Sequence, residues 1–134
     1  MPVFGTCTGA ILLAREIEGS EQPRLGTMDI RIARNAFGAQ VDSFETDMRI
    51  KGITDDPKYG LEPFRAFFIR APLIKWAAPQ VDVMATYEGN IVLARQGNML
   101  ACSFHPEMGQ DMRIHRYFAG MVEDFLSNNK EAVG

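Results

Sequence analysis

The chain has 134 residues, 46% of them hydrophobic, and its 14 Lys and Arg against 17 Asp and Glu leave a net charge of −3. That length suits one domain, and a weakly acidic surface offers no bulk field to draw in nucleic acid or an anionic membrane. The longest apolar run near the start, residues 10–14, is far too short to span a bilayer. No basic n-region, apolar core and cleavage site open the chain, so no signal peptide is read. Two cysteines, Cys7 and Cys102, do not make a disulfide framework. A cytoplasmic location is the expectation.

In chain order, residues 1–4 read as a short apolar strand that turns at once through Gly5-Thr6-Cys7-Thr8-Gly9. Residues 10–18 read as a helix with Gly19 as its C-cap, since Ile11, Leu12, Leu13 and Ile17 give a wide apolar face. Met28, Ile30 and Ile32 alternate with Asp29, Arg31 and Ala33, which predicts a half-buried strand. A turn at 35–38 and an extended stretch at 41–50 follow. Residues 51–63 carry Gly, Pro and charge and read as a loop. Residues 64–70 form a strand that Ala71-Pro72 ends. Val81, Val83 and Ala85 alternate into a turn at 87–90. Residues 91–95 and 99–104 then make a hairpin around Gly97-Asn98. Asp111 or a neighbour caps a last helix, with Tyr117, Phe118, Met121, Val122 and Phe125 as its apolar stripe. The order predicts an α/β fold with a strand-rich middle. An opening strand that feeds a nucleophile-type turn belongs at the centre of a parallel sheet. The chain therefore reads as the C-terminal part of a larger domain.

The chemistry is carried by G-x-C-x-G between a strand and a helix, the cysteine counterpart of a nucleophile elbow. Flanking glycines suit a turn too tight for side chains. The turn sets the sulfur at a helix N-terminus, whose dipole and free N–H groups favour a thiolate, and aims the Thr8 N–H where an oxyanion would form. The thiol needs a base. His105 stands in Ser103-Phe104-His105-Pro106-Glu107 after a predicted strand, and Glu107 can accept the other imidazole N–H. The bland alternative makes Cys7 a buried small hydrophobe, and the paired glycines with His-x-Glu argue against it. His115 reads as exposed on the polar side of the last helix. Cys102 and His105 form C-x-x-H without a second ligand pair, which argues against zinc, so Cys102 reads as a core strand residue.

These residues lead to a resemblance. Residues 2–9 (PVFGTCTG), 34–38 (RNAFG), 68–72 (FIRAP), 95–98 (RQGN) and 103–107 (SFHPE) resemble successive signatures of the glutaminase subunit of pyridoxal 5′-phosphate synthase, a class I glutamine amidotransferase. They keep that family's order over nearly the whole chain. The resemblance implies a flavodoxin-like fold, a mixed sheet flanked by helices, and a single amidotransferase domain over residues 1–134 that lacks its N-terminal part. It implies Cys7 as nucleophile, His105 as acid/base and Glu107 as orienting group, with Thr8, Arg34, Ile69 and Arg70 at the glutamine site. A guanidinium suits a substrate carboxylate; a salt-bridged strand residue is the plainer reading of Arg34 and Arg70. The implied partners are L-glutamine and the separate synthase subunit that receives ammonia, with no cofactor or metal held by the glutaminase. Thr8 stands where the family usually has Ala, the loop at 51–63 looks longer than typical, and the family's Gly-Gly-Glu-Ser loop with its second oxyanion donor is missing. Two further readings follow: a non-catalytic fragment that only docks on the synthase, and another cysteine hydrolase of the same fold.

Overall fold

The computed structural model describes residues 1–19, 24–33 and 43–133, with side chains as far as 128. Strand β1 (Val3–Thr6) runs into a short helix, α1 (Thr8–Leu13), and then directly into β2 (Ala14–Ile17) and β3 (Met28–Ala33). Six strands follow: β4 (Ser43–Met48), β5 (Phe64–Ile69), β6 (Leu73–Ala77), β7 (Asp82–Tyr87), β8 (Asn90–Gln96) and β9 (Met99–Cys102). The long helix α2 (Arg113–Val133) closes the chain.

Seven strands form one mixed sheet in the order β1-β9-β8-β6-β3-β2, with β7 also paired to β8. β1 lies parallel to β9 and β2 parallel to β3, while the other pairs are antiparallel. β4 and β5 make a separate antiparallel ribbon. The alternation of β3 decides its placement, because Met28, Ile30 and Ile32 are all buried. One core cluster joins Ala10 and Leu13 of α1 to Ile30, Ile32 and Ala101 of the sheet. The other joins Phe64 and Phe68 of the ribbon to Leu93, Phe104, and Ile114 and Met121 of α2. A stack of Phe44 on Phe68, at 4.7 Å with nearly parallel rings, ties the ribbon to Tyr87 and Phe104.

Most expected elements are found, including the 87–90 turn, the hairpin around Gly97-Asn98 and the Asp111 cap, whose Oδ1 accepts the Arg113 amide at 3.1 Å. The helix expected over 10–18 is corrected. It stops at Leu13, and Ala14 is extended at φ −65°, ψ 139°. Ala14 and Ile17 pair with Met28 and Ile32, so a ladder beside β3 outcompetes further helical turns. β6 carries no clear alternation, with Leu73 and Ile74 buried in succession, which hid it in the sequence. The predicted turn at 35–38 and the start of the stretch at 41–50 lie outside the described residues.

Candidate active site

Cys7 joins β1 to α1 with φ 50°, ψ −109°, a conformation costly for a non-glycine residue. Its amide donates to the Cys102 carbonyl at 2.8 Å, while the Ala10 and Ile11 amides close on its own carbonyl. The strained residue is therefore held from both sides. The two flanking glycines are not equivalent. A Cβ at Gly5 would sit 2.6 Å from the Gly9 carbonyl oxygen and 2.8 Å from Leu13 Cδ1, whereas one at Gly9 would meet nothing within 4 Å. Only Gly5 is sterically required, and what it makes room for is the Gly9 backbone.

The Cys7 sulfur lies 3.0 Å from His105 Nε2 and 3.3 Å from the Ser103 carbonyl oxygen, the two acceptors within reach of its single proton. His105 Nδ1 is 2.7 Å from Glu107 Oε2. The imidazole is fixed by its own backbone, since its amide donates to the Phe67 carbonyl of β5 at 2.8 Å and its carbonyl accepts the Met108 amide. Nδ1–H donating to the carboxylate leaves Nε2 free to accept from sulfur, which is the tautomer a general base needs.

The electrostatics revise one expectation. Burial pushes the Cys7 thiol up to about 11, and the Glu107 carboxylate adds to the rise. One short helix of six residues does not offset this. The resting sulfur is a thiol, and it must lose its proton to His105 as it reacts. Burial opposes ionisation of Glu107, but its hydrogen bond with His105, its own backbone, and the charges of His105 and His115 hold it below the usual carboxylate range. Burial also raises the Cys102 thiol well above the ordinary value, which keeps that sulfur inert in the core.

The structure brings Cys7, His105 and Glu107 into one line. Thr8 is the first residue of α1 and exposed. Ile69 ends β5 and, with Phe44, Phe67, Phe68 and Met108, lines a groove of about 190 Å³. Arg70 leaves the strand at φ 45° and is exposed. Arg34 lies outside the described residues. His115 departs from its expected exposure: it is half-buried, its ring stands edge-on to Phe4 at 6.0 Å, and Nδ1 is buried. The backbone carbonyls of Ser103 and Phe67 were invisible to sequence reasoning, because any residue type supplies a carbonyl.

Residues 1–124 match the SNO glutamine amidotransferase family. The chain belongs to this family. It is 61% identical over 122 residues to pyridoxal 5′-phosphate synthase subunit PdxT of Carboxydothermus hydrogenoformans, covering 91% of this chain and 61% of that protein. The corresponding subunit of Moorella thermoacetica is 55% identical over 122 residues, with 91% and 62% covered. A crystal structure of a glutamine amidotransferase superposes with a TM-score of 0.79 at 48% identity, over 90% of this chain and 60% of that one. The chain thus spans about three-fifths of the length of these relatives. The mixed sheet with its helices is the α/β fold of class I glutamine amidotransferases.

Proposed function

We propose that this chain carries the thiol chemistry of a glutamine amidohydrolase that supplies ammonia to a pyridoxal 5′-phosphate synthase subunit in the cytoplasm. The observation that carries the reading is the unbroken line from the Cys7 sulfur to His105 Nε2 at 3.0 Å and from His105 Nδ1 to Glu107 at 2.7 Å. Family membership and relatives named as synthase subunits support the partner. Residues 1–134 are read as belonging to one amidotransferase domain.

In this reading His105 takes the thiol proton as sulfur attacks the side-chain amide carbon of glutamine. The Thr8 amide, next after the nucleophile, donates to the developing oxyanion. His105 returns its proton to the amide nitrogen, the C–N bond breaks, and ammonia leaves a glutamyl thioester on Cys7. Water then gives a proton to His105 and attacks the thioester, and the thiol leaves with that proton as glutamate is released. Glu107 holds the imidazole in the required tautomer and stabilises the imidazolium. The groove at Ile69 receives the methylene stem of the substrate, and Arg34 and Arg70 are assigned to its carboxylate.

The test is ammonia release from glutamine by the purified chain, with and without the synthase subunit, beside Cys7→Ala. Release that rises with the synthase and disappears in the variant supports the reading. A folded, synthase-binding chain that releases none would reduce it to a docking fragment. Turnover of esters or peptides without glutamine turnover would make it another cysteine hydrolase of this fold.

A further inference from the structure

Phe67 is a large aromatic residue that belongs to neither core cluster. It stands half-buried on β5, opposite Glu45 of β4. What it touches is the stretch that begins at His105. Its carbonyl accepts the His105 amide at 2.8 Å. The His105 carbonyl accepts the Met108 amide at 3.2 Å, which closes a turn with Pro106 in second place, where a fixed φ is favoured. Gly109 leaves that turn at φ 83°, and a Cβ built on it would sit 2.8 Å from Phe67 Cε2 and 3.4 Å from Cζ. The positive φ alone would admit Asn or Asp, but the ring lying against the backbone leaves room only for Gly. Phe67 therefore meets both ends of residues 105–109. His105 Nδ1 and Glu107 Oε2 make their 2.7 Å contact inside that span.

We infer that Phe67 and Gly109 form a seat that positions Glu107 on His105: the Phe67 carbonyl sets where the turn begins, and its ring, lying on a residue with no side chain, sets the angle at which the turn leaves. Both act through His105 and Glu107 and are positioning residues. Their role in turnover rests on the glutaminase reading, whereas the seat itself does not. The need for a seat comes from exposure. The Glu107 side chain is 53% exposed, so water competes for its carboxylate, and holding a long side chain in one geometry at a wet surface costs entropy. A turn of fixed pitch reduces that cost by starting the side chain where Nδ1 is within reach. The carboxylate then keeps the imidazole proton on Nδ1 and leaves Nε2 to face the Cys7 sulfur at 3.0 Å. Phe67 also lines the groove assigned to the substrate stem, whereas Gly109 does not, which makes Gly109 the cleaner probe of the seat.

The experiment reads the tautomer of His105 by nitrogen NMR in the full chain labelled at histidine, in alkaline buffer where the ring is neutral, with the signals assigned by their loss in His105→Asn. Wild type should hold the proton on Nδ1. Gly109→Ala and Phe67→Leu should each move part of the population to the Nε2–H form, which cannot accept from sulfur. Ammonia release from glutamine is measured in parallel. Gly109→Ala should lower kcat about 10- to 100-fold, with KM changed less than about twofold. In a Phe67→Leu background, which lacks the ring atoms that meet the new Cβ, the same substitution should cost at least about threefold less. Strain at a positive φ is common to both backgrounds and cancels from that comparison. An equal cost in the two backgrounds, a wild type with its proton on Nε2, or an unchanged Nδ1–H tautomer in both single variants would overturn the inference. If Gly109→Ala fails to fold, Phe67→Leu decides the matter through the tautomer. Absence of turnover in wild type would count against the glutaminase reading and leave the tautomer to decide the seat.

Discussion

Replacing Arg113 by Met should destabilise the fold by an amount that its contacts set. Only 9% of the Arg113 side chain is exposed. Nε and Nη2 donate to Asp111, Nη1 to the carbonyls of Gly60 and Glu62, and Nη2 also to that of Pro63. This one guanidinium pins the end of the 51–63 loop to the start of α2. Met keeps the apolar stem over the Phe64 ring but none of these donors. Each lost donor to a carbonyl is worth about 1 kcal/mol, but Glu62 and Pro63 are exposed, so water replaces part of that. The ion pair adds less than about 1 kcal/mol because Asp111 is 30% exposed. The expected loss is about 2–3 kcal/mol, or a fall in Tm of about 7–11 °C for a chain of this size. Arg113→Lys should recover less than half, since an ammonium cannot serve Asp111 and three carbonyls at once. The hydrogen bond with Arg113 holds the Asp111 carboxyl below its usual range despite partial burial. A depressed folded pKa gives stability that is present above the unfolded value and lost as pH falls through the folded one. The gap between wild type and Arg113→Met should therefore close as pH falls below about 4. Urea unfolding followed by circular dichroism at pH 7 and pH 3 measures both effects. A gap under about 0.5 kcal/mol at pH 7, or one that widens in acid, would refute the reasoning.

The elbow glycines offer a paired test. Gly5→Ala must push its Cβ into the Gly9 backbone, which should cost about 1–3 kcal/mol and displace Cys7 enough to cut turnover by about 100-fold. Gly9→Ala meets nothing within 4 Å and should leave stability unchanged or raise it by about 0.5–1 kcal/mol; equal losses at the two positions would contradict the asymmetry. Alkylation of Cys7 by iodoacetamide should rise with pH toward a midpoint near about 11, and Glu107→Gln should lower that midpoint by removing a nearby negative charge. A wild-type midpoint in the neutral range would mean that the resting pair is thiolate and imidazolium, and that burial does not raise the thiol as described.

Cys7, His105 and Glu107 were legible as neighbours because each stands at a position whose local sequence forces it out of regular structure: the glycine-flanked turn and the Pro106-stiffened strand end. Long alternating strands such as β3 were legible for the same kind of local reason. What was not legible depended on pairing across the chain. Residues 14–17 carry a helical pattern, yet β3 draws them into the sheet. The thiol's second acceptor is a backbone carbonyl, the same for every residue type. His115 looked polar-facing until Phe4, distant in sequence, packed against it. The elevated Cys7 thiol likewise reflects tertiary burial, which no motif encodes.

The two ends of the sulfur-to-imidazole contact are moored by backbone bonds to different sheets. Cys7 hangs from β9 through the Cys102 carbonyl, in the seven-stranded sheet, while His105 hangs from β5 through the Phe67 carbonyl, in the separate ribbon. His105 also follows the end of β9 by three residues, so the 3.0 Å between sulfur and nitrogen spans the place where the ribbon, through the stack of Phe44, Phe68, Tyr87 and Phe104, meets the seven-stranded sheet. Anything that shifts the ribbon against the sheet bears on that gap without touching either reacting atom.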